Sequence, residues 1–346
     1  MKFLDISGFG HSGKSVVTDL LSEFEGYNVP HYNFEFNLLR IQGGLIDLKH
    51  AMIDNWSPVR SDAALRRFKR LVRRIGPKAS VSSPSSMFYS NGMNYDEMFQ
   101  GQFSELSYEY MSSLIQSSFL SEWPYQMIDD NPLKQFAQRL QVQFRLKRQF
   151  LTQVHLTSID EETFVHRTNT YLRDLFGLIG AKSDRVMVTH NALEPFNPTT
   201  GLTLLPDSKL ITVQRDPRDI YASVMASGGY TPGYETNRHW RMKVAMLGMD
   251  DIQTFCDRQL TYYNQIKSSK TNNVLMLRYE DVVLNYEEAL NNIYEFLGED
   301  SSVHSKKGKV FKPELSKKNI GLWRDMPDNK NIEVIQEMMP NYLFHS

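Results

Sequence analysis

Four short apolar runs along the chain have the pattern of buried β-strands. They cover residues 3–7, 185–189, 209–214 and 274–279, and each leads into loop or helix signals. Runs of this length are typical of strands inside a sheet that is covered on both faces. We therefore predict an α/β core in which one strand lies at the N-terminus and the others lie between about 185 and 280.

Apolar residues at helical spacing predict helices next to these strands. The first helix is expected at about Lys14–Phe24, after a glycine-rich turn at 8–13. Residues 61–75 predict a basic amphipathic helix, because arginine and lysine alternate there with apolar residues. Residues 286–297 predict another helix, which Gly298 ends.

A long segment with mostly helical pattern separates the first strand from the others. Residues 96–180 have this pattern, including Gln135–Thr152 and Phe164–Leu178, whereas 80–95 is rich in Ser, Asn and Gly and predicts a loop. We predict a large helical insertion at about 41–180, which would serve as a lid or as an acceptor-binding module.

The length, net charge and cysteine count of the chain limit the classes of protein to which it can belong. The 346 residues suit one large α/β domain, which we predict to cover 1–346. The formal net charge is −1, whereas nucleic-acid-binding domains are usually basic, so we expect no nucleic-acid partner. Cys256 is the one cysteine in the sequence, which excludes an intrachain disulfide and a Cys-based zinc site.

The apolar runs also bear on the location of the protein. They are far shorter than a membrane span, and Met1 and Lys2 lead straight into the first strand without a signal-peptide core. We expect a soluble, cytoplasmic chain without an integral membrane segment. The sequence gives no indication of its oligomeric state.

Residues Gly8 to Ser15 read Gly-Phe-Gly-His-Ser-Gly-Lys-Ser and fit the phosphate-binding pattern G-x-x-x-x-G-K-[ST]. The glycines let successive backbone N–H groups turn toward an anion, and the following helix adds its positive dipole end. Lys14 adds a full charge. The pattern predicts a site for a phosphate-bearing nucleotide; the alternative is a glycine-rich turn that matches by chance.

A kinase or NTPase would also need an aspartate that holds magnesium at the end of a second strand. The best strand for this, 209–213, leads into Gln214 and Arg215, and Asp216 comes late in a basic context. This sequence argues against a kinase without excluding one.

The end of the strand at 209–214 offers a second anion site. Arg215 ends the strand, Pro217 breaks it, and Ser223 follows eight residues after Arg215 on the next predicted helix. A strand-end arginine and a helical hydroxyl can together grip a phosphate. The alternative is that Arg215 and Arg218 pair locally with Asp216 and Asp219.

These segments resemble the sulfotransferases that use 3′-phosphoadenosine 5′-phosphosulfate (PAPS). The stretch from Arg215 to Ser223 is similar to that family's 3′-phosphate-binding pattern R-[DN]-P-[RK]-D-x-x-x-S, and Gly8–Ser15 matches its 5′-phosphosulfate loop in place and order. Leu277–Val283 and its continuation to Gly298 resemble the family's Y-E-D segment and the helix after it. Lys317–Arg324 resembles its final basic loop, which closes over the 3′-phosphate.

The resemblance implies a P-loop-type parallel sheet flanked by helices, PAPS as donor, PAP as product, and no metal. The donor-binding residues that it implies are Gly10, His11, Ser12, Gly13, Lys14, Ser15, Arg215, Ser223, Tyr279, Lys317 and Lys318. The chain departs from the family's loop P-[KR]-S-G-T-T: the catalytic cation falls on His11, and Lys14 replaces a Thr. Either His11 or Lys14 could contact the oxygen between phosphorus and sulfur.

An acceptor hydroxyl would also need a base to take its proton. Glu35, between Phe34 and Phe36, resembles the glutamate base of carbohydrate and tyrosyl-protein sulfotransferases. His190, at the end of a predicted strand, resembles the histidine of the cytosolic sulfotransferases. The sequence favours Glu35 slightly; the alternatives are a solvent-facing glutamate and a histidine that only caps a loop.

Taken together, the motifs and the resemblance imply an enzyme that moves a sulfuryl group from PAPS to a hydroxyl or amine of a carbohydrate or small metabolite. The basic helix would suit an anionic acceptor, although such helices are more often a solvated face. The alternatives are a P-loop kinase that uses ATP and Mg²⁺ and a non-catalytic nucleotide-binding regulatory protein.

Overall fold

The computed structural model describes most of the chain and divides it into two compact units. The described residues are 1–30, 35–78, 90, 93–121, 125, 132–144, 152–181, 183–194, 196–226, 251–269, 271–326 and 330–345. Met1–Arg40 and Gly180–Ser346 form one unit, which we call the sheet unit, and Ile41–Ile179 forms the other, the insertion unit.

The sheet unit is built on a parallel sheet. Its strands are β1 (Lys2–Ser7), β2 (Tyr27–Asn28), β5 (Val186–His190), β6 (Lys209–Gln214) and β7 (Val274–Arg278). They lie in the order β2-β5-β1-β6-β7, with every neighbouring pair parallel. Ile6 is in register with His190 on one side and with Ile211 on the other. The carboxyl ends of the central strands therefore meet at one edge.

Helices cover this sheet. In the sheet unit they are α1 (Ser15–Leu21), α8 (Pro198–Leu202), α9 (Pro217–Ala226), α10 (Ile252–Ser268), α11 (Tyr279–Leu284), α12 (Tyr286–Leu297), α13 (Pro313–Ser316) and α14 (Lys330–Met338). Side chains of α1, α11 and α12 share one buried apolar cluster with the strands. Side chains of α9, α10 and α14 form a second cluster with Phe9. Burial of this apolar surface stabilises the layers.

The insertion unit combines helices with a small antiparallel sheet. Its helices are α2 (Leu45–Lys49), which continues as a π-helix at His50–Asp54, α3 (Pro58–Ile75), α4 (Tyr95–Met98), α5 (Phe103–Ser113), α6 (Pro132–Gln143) and α7 (Glu161–Gly177). Its strands are β3 (Ser117–Ser121) and β4 (Thr152–Leu156), paired antiparallel. The basic helix predicted at 61–75 is confirmed as part of α3.

The predicted fold class, a parallel α/β sheet flanked by helices, is confirmed, and so are its four strands. The sequence missed the short strand β2 and helix α10, and it predicted α1 to run three residues too far. It was wrong to extend a helix over Gln135–Thr152, because α6 ends at Gln143 and Thr152 begins a strand. Most of the predicted loop at 80–95 lies outside the described residues. In the described part of the chain, no helix is long and apolar enough to cross a membrane.

Candidate active site

The glycine-rich loop joins β1 to α1 at the carboxyl edge of the sheet. His11 and Gly13 both have positive φ angles, of 64° and 82°. A Cβ atom at Gly13 would lie 2.3 Å from Cδ2 of Tyr279, so a larger residue would not fit there. The close approach of Tyr279 explains why this position needs glycine.

Lys14 faces Glu35 across the loop. Its Nζ lies 3.9 Å from Oε1 of Glu35, and Nη2 of Arg40 lies 3.6 Å from Oε2 of the same carboxylate. The side chain of Lys14 is 17% exposed and that of Glu35 is 38% exposed. Burial lowers the pKa of Lys14, although Glu35 and Asp5 favour its charged form. Two cations thus converge on one carboxylate beside the loop.

His190 ends β5 next to this carboxylate. Its backbone makes a parallel bridge with Glu35, so the chain after β2 runs alongside the end of β5. The ring is buried, and Nε2 has no hydrogen-bond partner among the described residues. Burial, with a smaller effect of Lys14, lowers the pKa of His190 to about 4. The ring is therefore neutral at pH 7.

Asp5 lies buried beneath the loop. Its carboxylate accepts hydrogen bonds from Oγ1 of Thr189 at 2.8 Å and from the backbone N–H groups of Ala192 and Leu193 at 3.0 and 3.2 Å. Burial raises the pKa of Asp5 to about 6, against the opposite effect of these bonds and of Lys14. Asp5 thus fastens the turn after β5 to β1.

Arg215 connects the end of β6 to the loop. Its guanidinium donates from Nη1 to the carbonyl of His11 at 3.0 Å and from Nη2 to the carbonyl of Asn319 at 2.5 Å. The guanidinium also lies over the ring of Tyr279, 4.9 Å from its centroid. Ser223 on α9 completes the contact, because its Oγ lies 3.0 Å from Nδ1 of His11.

The final basic segment reaches the same place. Tyr279 donates its hydroxyl proton to the carbonyl of Ser316 at 3.0 Å. Lys317 and Lys318 lie in the 3₁₀ turn that follows and are exposed. Ser15, the first residue of α1, is also exposed. The backbone of this segment is therefore fixed at the site, while both lysine side chains face solvent.

The local ion pairs expected around Arg215 form only in part. Arg218 and Asp216 make a buried pair, with Nη2 and Oδ2 2.6 Å apart. Asp219 accepts instead from the backbone N–H groups of Gly321 and Trp323. Arg215 donates to backbone carbonyls rather than to either aspartate. In these hydrogen bonds the guanidinium of Arg215 therefore has no carboxylate as its partner.

Two buried polar atoms at the loop lack hydrogen-bond partners among the described residues. They are Oγ of Ser12 and Nε of Arg215. Buried polar atoms normally have a partner, so these two donors fit an anion bound at the loop. The described residues contain no group of three or more His, Cys, Asp or Glu that could hold a metal ion.

Sequence reasoning missed three residues of this site: Asp5, Arg40 and Asn191. Asp5 interrupts an apolar strand just before the loop, which is a signal that could have found it. Asn191 directly follows His190, and its side chain bonds to Glu35 and to the loop. The sequence around Arg40 carries no pattern that would mark it as a site residue, because its place beside Glu35 depends on the tertiary fold of the segment after β2.

Comparison with known proteins finds one matching family profile and several similar solved structures. A sequence profile described as "Sulfotransferase family" matches residues 110–302, more than half of the chain. No curated protein sequence matches the chain. 

Three solved structures are among those similar to it. The sulfotransferase domain of the Synechococcus PCC 7002 olefin synthase has 13% identity and a TM-score of 0.42, covering 100% of this chain and 96% of that chain. The sulfotransferase domain from the curacin biosynthetic pathway has 12% identity and a TM-score of 0.42, covering 99% of both chains. Retinol dehydratase in a complex with retinol and PAP has 13% identity and a TM-score of 0.35, covering 99% of this chain and 82% of that chain.

Proposed function

The chain belongs to the sulfotransferase family, and we propose that it transfers a sulfuryl group from PAPS to a hydroxyl or amine of a carbohydrate or small metabolite. The observation that carries the proposal is the hydrogen bond from Arg215 to the carbonyl of His11. This bond holds a cation from the end of β6 beside the glycine-rich loop. A nucleotide with phosphates at both the 5′ and the 3′ position could then contact the loop with one phosphate and Arg215 with the other.

We assign the 5′-phosphosulfate to the loop. Gly10, Ser12, Gly13 and Ser15 would supply backbone N–H or hydroxyl groups, and Lys14 would supply charge. The 3′-phosphate would lie by Arg215 and Ser223, whose common neighbour is His11. Tyr279, which lies against both Gly13 and Arg215, would separate the two phosphate sites. Lys317 and Lys318 would turn inward from solvent when the nucleotide binds.

PAPS would supply an activated sulfuryl group, and the protein must stabilise the charge that develops on the leaving phosphate. Lys14, whose Nζ lies 3.9 Å from Glu35, would supply one cation of the loop. His11, whose Nδ1 lies 3.0 Å from Oγ of Ser223, would supply a second when it is protonated. Sulfuryl groups carry less negative charge than phosphoryl groups, so loop N–H groups and these cations would suffice without a metal.

Glu35 would take the proton of the acceptor. Its carboxylate is partly exposed, which leaves it accessible, and it lies beside Lys14. His190 is buried and neutral, with Nε2 unpartnered among the described residues, and would orient the acceptor.

The kinase alternative receives less support from the strand ends. The strands on either side of β1 end at His190 and Gln214, and Asp216 is paired with Arg218. A carboxylate free to hold magnesium is therefore missing from the expected place on these described strands.

Calorimetric titration with PAP, ADP and ATP, with and without Mg²⁺, tests the proposal. A sulfotransferase should bind PAP without metal and at least about tenfold more tightly than ADP, because ADP lacks the 3′-phosphate that Arg215 and Ser223 would hold. A kinase should favour ATP with Mg²⁺. Release of PAP from PAPS in the presence of 4-nitrophenol or N-acetylglucosamine as probe acceptors would separate an enzyme from a regulatory protein.

A further inference from the structure

Asn191 has a backbone conformation that few residues adopt. It directly follows β5, is 7% exposed, and has a φ angle of 46°. The left-handed region is unfavourable for residues with a side chain, although asparagine tolerates it better than most. Neighbouring bonds hold the turn in place, because Asp5 accepts from the N–H groups of Ala192 and Leu193.

This conformation directs the amide of Asn191 to two parts of the candidate site. Its Oδ1 accepts from the backbone N–H of Gly8 at 3.3 Å and from Oγ of Ser7 at 3.4 Å. Its Nδ2 donates to Oε1 of Glu35 at 2.8 Å. The reverse orientation would set the NH₂ group against an N–H donor and an oxygen against a carboxylate, so the bonds themselves fix the orientation.

We propose that Asn191 is a positioning residue that holds the Glu35 carboxylate at a fixed place relative to the glycine-rich loop. The inference rests on the proposed function in taking Glu35 as the base. The side chain of Asn191 contacts both the first N–H of the loop and the carboxylate of Glu35. It therefore sets the distance between the base and the donor site. Reactive groups must be placed within fractions of an ångström, and an error of about 1 Å can lower a rate 100-fold.

Charges alone would not hold Glu35 in this way. Lys14 and Arg40 face its two oxygens at 3.9 and 3.6 Å, both longer than a hydrogen bond. The ring of His190, whose backbone bridges to Glu35, is buried and neutral, and the buried Asp5 accepts hydrogen bonds from the turn after β5. The bond from Asn191 is therefore the short, directional contact that these residues provide to the carboxylate.

Asn191→Gly is the informative variant, because glycine adopts the left-handed conformation freely, so that the variant removes the side chain with its amide and keeps the turn. Asn191→Asp keeps the shape but places a second carboxylate against Glu35. Asn94, in the insertion unit, is another asparagine with a positive φ, of 55°. Asn94→Gly is therefore a matched control for the backbone effect alone.

We expect Asn191→Gly to lower the kcat for PAP release by about 10- to 100-fold while the Kd for PAP changes by less than about threefold. Asn191→Asp should lower kcat further, because a second carboxylate beside Glu35 repels it from its place. Asn94→Gly should match the wild type both in kcat and in the Kd for PAP.

Crystal structures of the wild type and Asn191→Gly give a readout that needs no activity. The Glu35 carboxylate should lie in one place in the wild type and leave it in the variant. An unmoved Glu35 would overturn the positioning role. So would an unchanged kcat in Asn191→Gly, provided that the wild type turns over PAPS. Absence of PAP binding by the wild type would instead overturn the proposed function, while the crystallographic comparison would still decide the role of Asn191.

Discussion

Arg215 donates a hydrogen bond to the carbonyl of His11 at 3.0 Å, across 204 positions of sequence. The bond joins the end of β6 to the middle of the glycine-rich loop. The positive φ of His11 turns its carbonyl away from the regular direction, and the bond satisfies that carbonyl. A nucleotide phosphate beside the loop would therefore meet a cation that is already in place.

Replacement of Arg215 by alanine tests this arrangement. We expect Arg215→Ala to lose most of the preference for PAP over ADP, because ADP lacks the 3′-phosphate. The affinity for ADP should change little, which makes ADP the internal control in a calorimetric titration. Equal losses for both nucleotides would mean that Arg215 only holds the loop together.

Lys14→Met removes the charge from the loop and keeps most of the aliphatic stem. We expect binding of PAP to weaken by about 1.5–3 kcal/mol, the range for a charge-assisted hydrogen bond. Lys2→Met, at the start of the strand β1 that leads into the loop, is the control for a general loss of positive charge. An unchanged affinity of Lys14→Met for PAP would mean that the loop does not bind the donor's phosphate.

A separate prediction concerns the stability of the sheet unit. The buried carboxylate of Glu23 lies 2.5 Å from Nε2 of His304 and accepts from the N–H groups of Gly308, Val310 and Phe311. We expect Glu23→Gln to lower the free energy of unfolding by about 3–5 kcal/mol, as for other broken buried pairs. Urea denaturation followed by circular dichroism measures the loss.

Glu287→Gln is the control for that prediction. Glu287 pairs with Lys307 at 2.8 Å, but both side chains are exposed, so its loss should be below about 1 kcal/mol. Similar losses in the two variants would contradict the special role of burial at Glu23.

The same site sets a direction for stability against pH. Burial raises the pKa of Glu23, but the hydrogen bonds from His304 and the backbone outweigh it, so the pKa lies below its ordinary value of 4.5. A carboxylate whose pKa is lower in the folded state than in the unfolded chain stabilises the folded state at pH values above its pKa in the unfolded chain. This contribution should be complete above about pH 4.5 and fall as the pH drops further, and Glu23→Gln should flatten that part of the curve.

The sequence was sufficient for the parallel core because its signals are local. Each core strand is a short apolar run, and the loop Gly8–Ser15 carries its own pattern. The antiparallel pair of β3 and β4 could not be found this way. Its strands lie more than 30 residues apart in the sequence, and their pairing depends on contacts between distant segments.

The candidate site was predictable where a residue type and its place on an element carried the signal. Lys14, Arg215 and Ser223 all converge on the loop or its neighbours. Asn191 and Arg40 were not predictable, because a left-handed turn and the return of the chain after β2 bring them to Glu35. These features depend on the assembled sheet edge rather than on local spacing.

His190 should make the folded state sensitive to acid. Its pKa of about 4 lies below its ordinary value of 6.5, chiefly through burial. Between those values the unfolded chain binds a proton that the folded chain does not, so stability should fall as the pH drops from 6.5 toward 4. His190→Asn should reduce this slope in urea denaturation measured at each pH; an equal slope would contradict the buried neutral ring.

The identity of the base is the last and most direct test of the chemistry. Glu35 and His190 share a backbone bridge, but their surroundings differ: the carboxylate is partly exposed beside Lys14, and the ring is buried and neutral. Glu35→Gln keeps the shape of the side chain and removes the proton acceptor, so we expect kcat to fall by about 10²–10⁴ with the Kd for PAP nearly unchanged. His190→Asn should lower kcat less, because a ring whose pKa is about 4 is a weak base at neutral pH. Measurement of PAP release from PAPS by both variants across pH ranks the two residues: a larger loss in His190→Asn would make the histidine the base and leave Glu35 to bind the acceptor.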